Sequence, residues 1–192
     1  MTDKEPLNHI EVQIFPLSSS DIDQLEPILR QHVRDRNTGE ILEDEISEIK
    51  GYMRGTADKD EGRTRKYLVA KDLTGRVVGC MAYSIPDRDM IKHFDTTKEE
   101  SSELLNAFVD KEFFRGKGVG RKLFNAICEQ VKSEGKSKLL INSGPRYKAS
   151  WGFYDKVCDE NAGFIKEKYG KDGDANTWIK YLNNSYSHSV AA

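Results

Sequence analysis

The segment 113–124, FFRGKGVGRKLF, limits what this chain can fold into more than any other stretch. It holds glycines at 116, 118 and 120, a density that disfavours the interior of a helix or a strand. The apolar stretches on either side, 103–109 and 138–143, predict buried strands. Between them, apolar residues recur along one face of a helix: Val119, Leu123, Ile127 and Val131. The order strand, glycine loop, helix, strand predicts a βαβ unit with parallel strands.

Two known phosphate-binding motifs do not fit the glycine spacing. A Walker A loop needs a Lys-Ser or Lys-Thr pair after a suitably spaced glycine, and none follows here. A Rossmann fingerprint needs G-x-G-x-x-G; Gly116 and Gly118 fit its first two positions, but Arg121 occupies the third. A P-loop is therefore excluded, and a dinucleotide-binding oxidoreductase is disfavoured. The segment can still be an anion-binding loop or a plain glycine turn with solvated basic side chains.

The spacing Arg115-x-x-Gly118-x-Gly120, between a strand and an amphipathic helix, resembles the cofactor-binding motif of the GNAT acetyltransferase superfamily. The order of predicted strands and helices over residues 11–182 is similar to that family's as well. Tyr154 also stands on a short predicted helix after strand 138–143, where GNAT enzymes commonly carry a tyrosine.

The resemblance implies an α/β (α+β) chain with the GNAT fold. Its central sheet would be mixed and mostly antiparallel, with about seven strands and about four flanking helices. The fourth and fifth strands, 103–109 and 138–143, would form a splayed parallel pair. The segment 86–102 is too long and polar for a tight turn and predicts a surface loop, with a short helix inside it as an alternative. We expect one GNAT domain over 11–183, a loose leader at 1–10 and a flexible tail at 184–192.

Charge and composition disfavour several other classes of protein. A net charge of −2 is unusual for a nucleic-acid binder. No run approaches 18 consecutive apolar residues, so we expect no membrane span. The three cysteines lack a C-x-x-C pair and residues 1–10 lack an apolar core, which together predict a cytoplasmic protein. The four histidines are scattered, so we expect no bound metal.

The resemblance implies acetyl-CoA as the co-substrate, with its pyrophosphate at the glycine loop and the helix that follows. Glycines let the backbone approach an anion, and the helix N-terminus and basic side chains supply positive charge. The loop residues expected to bind it are Arg115, Gly116, Lys117, Gly118, Val119, Gly120 and Arg121. The pantetheine arm would lie against the fourth strand near Phe108 and Val109.

Acetyl transfer to an amine needs a neutral nucleophile and a stabilised leaving thiolate. Tyr154 is the candidate general acid for the thiolate, and packing on an aromatic-rich helix is the alternative role for it. Glu103 is a weaker candidate for the base, because a solvated carboxylate at a strand end is the favoured interpretation of it. Tyr147 and Ser150 stand where many GNAT members have Asn and Ala, which puts some contacts to the CoA arm in question.

The function implied is acetyl transfer from acetyl-CoA to a primary amine, by direct attack on the thioester. The acceptor, a small molecule or a protein, would contact the first two predicted helices, the 86–102 segment and the final hairpin, whose predicted strands are 163–170 and 175–182. A CoA-binding sensor or scaffold without turnover is the alternative on the same fold. A homodimer is compatible with the resemblance, and the sequence does not identify one.

Overall fold

A computed structural model describes residues 11–59, 61–112, 114 and 116–183 of the chain. The predicted leader 1–10 and tail 184–192 lie outside these residues, as does Arg115 of the proposed CoA loop. The strands are β1 (Val12–Pro16), β2 (Lys66–Asp72), β3 (Val77–Ser84), β4 (Ser101–Val109), β5 (Lys138–Ser143), β6 (Glu160–Ile165) and β7 (Ala175–Tyr181). The helices are α1 (Ser19–His32), α2 (Glu43–Met53), α3 (Arg88–His93), α4 (Val119–Ser133) and α5 (Trp151–Val157).

The strands form a seven-stranded mixed sheet in the order β1-β2-β3-β4-β5-β7-β6. β4 and β5 run parallel, with Ser101 opposite Lys138 and Leu104 opposite Ile141, whereas β1/β2, β5/β7 and β6/β7 are antiparallel. This confirms the predicted sheet and its parallel pair. The β4/β5 pairing covers Ser101–Leu104, and β4 continues to Val109, as expected of a pair that separates towards its carboxyl ends.

The segment 86–102 contains α3, the short helix that its prediction as a surface loop allowed for, and the Asp87 carboxylate caps this helix by accepting from the Met90 amide at 2.8 Å. The sequence prediction erred at the boundaries of two strands. β4 begins two residues earlier than predicted, because Ser101 and Ser102 are buried polar residues that an apolar pattern does not identify. β6 occupies Glu160–Ile165 rather than 163–170.

The chain divides into two compact units. The first comprises the residues up to Thr56, Lys66–Ala82 and Asn106–Ala126. Its core contains the apolar face of α1, with Leu25 and Leu29 fully buried, and the buried residues of β2. The predicted CoA-binding residues that the structure describes all belong to this unit.

The second unit comprises Ala57–Arg65, Tyr83–Leu105 and the chain from Ile127 onward. Met90 of α3, Leu140 of β5 and Ile179 of β7 form a buried cluster within it, because Met90, the buried residue of α3, packs against the sheet. Both candidate catalytic residues, Glu103 and Tyr154, lie in this unit.

Candidate functional site

The glycine loop has the backbone conformation that its sequence predicts. Gly116 and Gly118 have φ angles of +77° and +85°, in the left-handed region that side chains rarely adopt. A Cβ added to Gly116 would meet no atom within 4 Å, so open space lies beside the backbone there. α4 begins directly after Gly118, whose carbonyl accepts from the Lys122 amide at 3.1 Å. The first turn of a helix leaves N–H groups without acceptors in the helix, so the loop residues fit an anionic group such as a pyrophosphate.

Asp110 fixes the turn from β4 into the glycine loop, a role that the sequence did not reveal. Its carboxylate is almost fully buried and accepts from the Arg76 guanidinium at 2.8 Å and from the Glu112 amide at 3.0 Å. The Asp110 backbone carbonyl accepts from the Phe114 amide at 3.2 Å. A buried carboxylate with these donors holds the chain where the loop begins, so the position of the glycines does not depend on the loop alone.

The end of β4 is fixed from two sides within the first unit. The Nε2 atom of His32, on α1, lies 2.8 Å from the Val109 carbonyl oxygen, which can only accept, so Nε2 carries the proton. Gly79 of β3 lies so close that a Cβ there would be 2.8 Å from the Phe108 carbonyl oxygen. Asn106 has a φ of +44° inside the strand, a local irregularity stabilised by a 2.8 Å hydrogen bond from the Tyr67 hydroxyl.

Tyr154 lies on α5 and is 6% exposed. Its ring packs between Trp178 and Phe153, with centroid distances of 5.2 and 5.4 Å. Among the described residues its hydroxyl has no hydrogen-bond partner. Burial raises the pKa of this hydroxyl well above its usual range, so it is protonated at neutral pH. The geometry therefore combines the packing role with a hydroxyl that keeps its proton at neutral pH.

Glu103 is 1% exposed, whereas a solvated carboxylate at a strand end was the simple expectation. One carboxylate oxygen accepts from the Arg63 guanidinium at 2.8 Å and from the Asp87 amide at 2.9 Å. The other accepts from the Asn142 side-chain amide at 2.7 Å. Burial raises the pKa of Glu103, the nearby Asp87 carboxylate adds to this, and Arg63 opposes it. Three donors therefore occupy most of the acceptor capacity of this carboxylate.

The partners of Glu103 are themselves held by further contacts. Arg63 donates to Asp58 through Nε at 2.9 Å. The Asp87 carboxylate pairs with Lys168 at 2.6 Å, and the Lys168 side chain is only 8% exposed. The network thus reaches from β4 to the chain between β6 and β7.

The Tyr169 hydroxyl donates to the Asn142 side-chain oxygen. Its ring is more than half exposed, whereas burial of the hydroxyl raises its pKa. The ring covers Gly144, which leaves room for it at the end of β5, because a Cβ there would lie 2.7 Å from a ring atom. Asn142, a polar residue inside the apolar run of β5, was the one signal of this contact in the sequence.

The described residues contain no cluster of three or more His, Cys, Asp or Glu side chains that could hold a metal ion. Within the same residues, no helix has the length and apolarity needed to cross a bilayer.

A comparison with protein-family models matches residues 26–159 to the Acetyltransferase (GNAT) family. A comparison with curated protein sequences found no match. Among solved structures, a protein from Desulfovibrio desulfuricans assigned to the GNAT family is 14% identical, with a TM-score of 0.66 over 90% of this chain and 100% of that one. An acetyltransferase of the GNAT family from Staphylococcus aureus is 16% identical, with a TM-score of 0.62 over 90% of this chain and 100% of that one.

An aminoglycoside 6'-N-acetyltransferase complexed with coenzyme A is also similar. It is 16% identical, with a TM-score of 0.63 over 89% of this chain and 97% of that one. Because these identities are low, the structural similarities show the fold alone. The match to the family model, which covers most of the chain, shows the family.

Proposed function

The chain belongs to the GNAT family of acetyltransferases, and from this premise we propose that it transfers an acetyl group from acetyl-CoA to a primary amine. The amine attacks the thioester carbon directly, the carbon–sulfur bond breaks, and the thiolate leaves as CoA. The observation that carries the proposal is the loop at Gly116 and Gly118, which presents open backbone in front of the N-terminus of α4.

The glycine loop and the first turn of α4 bind the pyrophosphate. Gly118, Val119 and Gly120 place backbone N–H groups at the positive end of the helix dipole, which is equivalent to roughly half a charge. Lys117 is half-buried and Arg121 is exposed, so both can add charge around the anion. The expected contact of Arg115 stays a prediction.

The end of β4 holds the pantetheine arm. The backbone at Phe108 and Val109 offers N–H groups that can stabilise charge on the thioester oxygen as the amine attacks. The fixed position of this strand end, between His32 and Gly79, supports such a role, because preorganised donors need no rearrangement during reaction.

Tyr154 assists the leaving thiolate. A general acid must be protonated before the reaction, and the raised pKa of its hydroxyl meets that condition. A phenol with a raised pKa transfers its proton to a thiolate less readily than an ordinary phenol does, since thiols have pKa values near 8.5. Burial raises the pKa of a thiol as well, which offsets this difference. We therefore assign Tyr154 a hydrogen bond to the developing thiolate, with the proton transferred as the C–S bond breaks.

The experiment that tests the function has two stages. Thermal unfolding is measured with acetyl-CoA, CoA, NAD or ATP, and a ligand at 100 times its dissociation constant should stabilise the chain by about 2.7 kcal/mol. Stabilisation by NAD and none by acetyl-CoA would contradict the proposal. A panel of small amines and lysine peptides, with detection of the free thiol of CoA, then identifies the acceptor. Binding of acetyl-CoA with no turnover on any amine would instead favour a CoA sensor.

The role of Tyr154 is tested by Tyr154→Phe, which removes the hydroxyl and keeps the packed ring. We expect kcat to fall by about 10²–10⁴-fold, the usual contribution of a general acid. Tyr83→Phe, at another buried tyrosine, whose hydroxyl donates to the Glu134 carboxylate, is the matched control and should leave kcat unchanged. An unchanged kcat in Tyr154→Phe would show that its ring, and not its hydroxyl, is what the fold requires.

A further inference from the structure

The carboxylate of Glu103 joins three separate segments of the second unit. Through Arg63 it reaches Asp58, whose carboxylate accepts from the Arg63 side chain at 2.9 Å. Through the Asp87 amide, which donates to it at 2.9 Å, it holds the start of α3. Through Asn142 it connects to Tyr169, in the chain between β6 and β7.

We propose that Glu103 is a positioning residue, which fixes these three segments as one wall of the acceptor site, and that it does not remove the proton from the amine. The inference rests on the proposed function, because it concerns the acceptor side of that reaction. The 86–102 segment and the final hairpin are two of the regions expected to contact the acceptor, and Glu103 connects both.

The accessibility of Glu103 argues against proton removal. A base must lie within hydrogen-bonding reach of the proton it takes, directly or through one water. Glu103 is 1% exposed, and three donors within 2.9 Å point at its two oxygens. To accept a proton, the carboxylate would have to give up part of its pairing with Arg63, whose side chain is itself only 11% exposed. That would leave a buried guanidinium with less compensation, which is costly.

The second connection runs through Lys168. Its ammonium lies 2.6 Å from the Asp87 carboxylate and 3.5 Å from the Asp89 carboxylate. The chain that carries Lys168 is therefore held against the start of α3. The Asp87 amide, at the N-cap of this helix, donates in turn to Glu103. The neighbouring Tyr169 donates to Asn142, which itself donates to Glu103. Lys168 and Tyr169 are therefore both positioned by contacts that lead to the Glu103 carboxylate.

A double-mutant cycle separates a positioning role from a role as base. The variants are Glu103→Gln, Arg63→Met and the two combined, assayed with the amine that turns over fastest in the panel above. A positioning role predicts that both single variants lower kcat/KM for the amine by about 10–100-fold, because a misplaced substrate reacts slowly. The double variant should be no worse than the poorer single one, and KM for acetyl-CoA should stay unchanged.

A base would give a different result. Glu103→Gln alone would lower kcat by about 10²–10⁴-fold and abolish the acidic limb of the pH profile of kcat/KM. Arg63→Met would keep that limb, because the carboxylate is still present. This pattern would overturn the proposal. Glu129→Gln, at an exposed glutamate of α4 outside the segments expected to contact the acceptor, is the matched control and should change neither constant.

A readout without any amine keeps the inference separate from the proposed function. Amide hydrogen exchange of the full chain should accelerate by about tenfold or more in 61–63, 87–93 and 166–174 together in Glu103→Gln. Asn142→Ser, which leaves the Arg63 ion pair intact, should accelerate exchange in 166–174 alone and serves if Glu103→Gln does not fold. Unchanged exchange in these segments would overturn the positioning role even if an amine is acetylated. If exchange accelerates as expected but no amine is acetylated, the result supports the positioning role and contradicts the proposed acetyl transfer.

Discussion

Gly79→Ala is the substitution that most directly tests how β4 is placed for the cofactor. A Cβ at this position would lie 2.8 Å from the Phe108 carbonyl oxygen and 3.2 and 3.3 Å from two Val109 atoms. Real Cβ atoms do not approach within 3.0 Å, and the partner is backbone, so the end of β4 must move by a few tenths of an ångström. Overpacking of this kind costs about 1–3 kcal/mol.

The opposing effect is smaller. Replacing glycine in a strand interior by alanine is worth roughly 0.5–1 kcal/mol through backbone entropy. The steric cost therefore prevails, and we expect a net destabilisation of about 1–2 kcal/mol. In a chain of this size, each kcal/mol lowers Tm by about 2–4 °C.

The same displacement moves the backbone groups assigned to the pantetheine arm. Each such hydrogen bond contributes about 1 kcal/mol, so losing one or two should weaken acetyl-CoA binding by about 5–30-fold. Calorimetric titration at a temperature where the variant is fully folded measures this. Gly51→Ala is the control, because its Cβ would make only ordinary contacts, at 3.8 Å or beyond. A lowered Tm with unchanged acetyl-CoA affinity would refute the assignment of Phe108 and Val109, and an unchanged Tm would refute the packing argument itself.

Three further changes have defined outcomes. Gly144→Ala, whose backbone is unstrained, should displace the Tyr169 ring from its 2.7 Å approach and lower kcat/KM for the amine by about tenfold, with acetyl-CoA affinity in calorimetry unchanged. For Asp58, burial raises the pKa, but backbone hydrogen bonds and the Arg63 ion pair outweigh it, so the folded pKa lies below the unfolded one. Its stabilisation is therefore present above about pH 4 and is lost as pH falls through the folded pKa. Asp58→Asn should lower Tm at pH 7 and converge with the parent chain in acid. Lys117→Ala and Arg121→Ala should each weaken acetyl-CoA binding a few-fold at low salt and hardly at 1 M, where the Debye length is about 3 Å.

The sequence was sufficient for the βαβ unit because its signals are local. A run of apolar residues, a glycine cluster and a repeat of Val119, Leu123 and Ile127 each specify structure over a few neighbouring positions. Gly79 also left a signal, since a lone glycine inside a strand often marks a close backbone approach. The identity of the strand it approaches was not contained in that signal.

The environment of Glu103 could not be predicted in this way. Arg63 lies 40 residues before it and Asn142 lies 39 residues after it, and no periodic pattern connects them. A glutamate at the start of an apolar strand looks like a solvated end, because ion-pair partners at such separations become visible only in the folded chain. Asp110 was obscure for the same reason, since Arg76 lies 34 residues away.

The burial of Glu103 also bears on how the acceptor amine loses its proton. An amine with a pKa near 10.4 is neutral in about one molecule in 2,500 at pH 7, which costs roughly 4.6 kcal/mol. If the Glu103 carboxylate does not take the proton, the amine loses it to another group or to water before or during binding. Burying an ammonium in a site of low polarity favours its neutral form, so desolvation can supply part of this free energy. The wall proposed above supports that mechanism for two reasons. The charges of Glu103, Arg63 and Lys168 are already paired, and contacts that exclude water need a surface held in a fixed position.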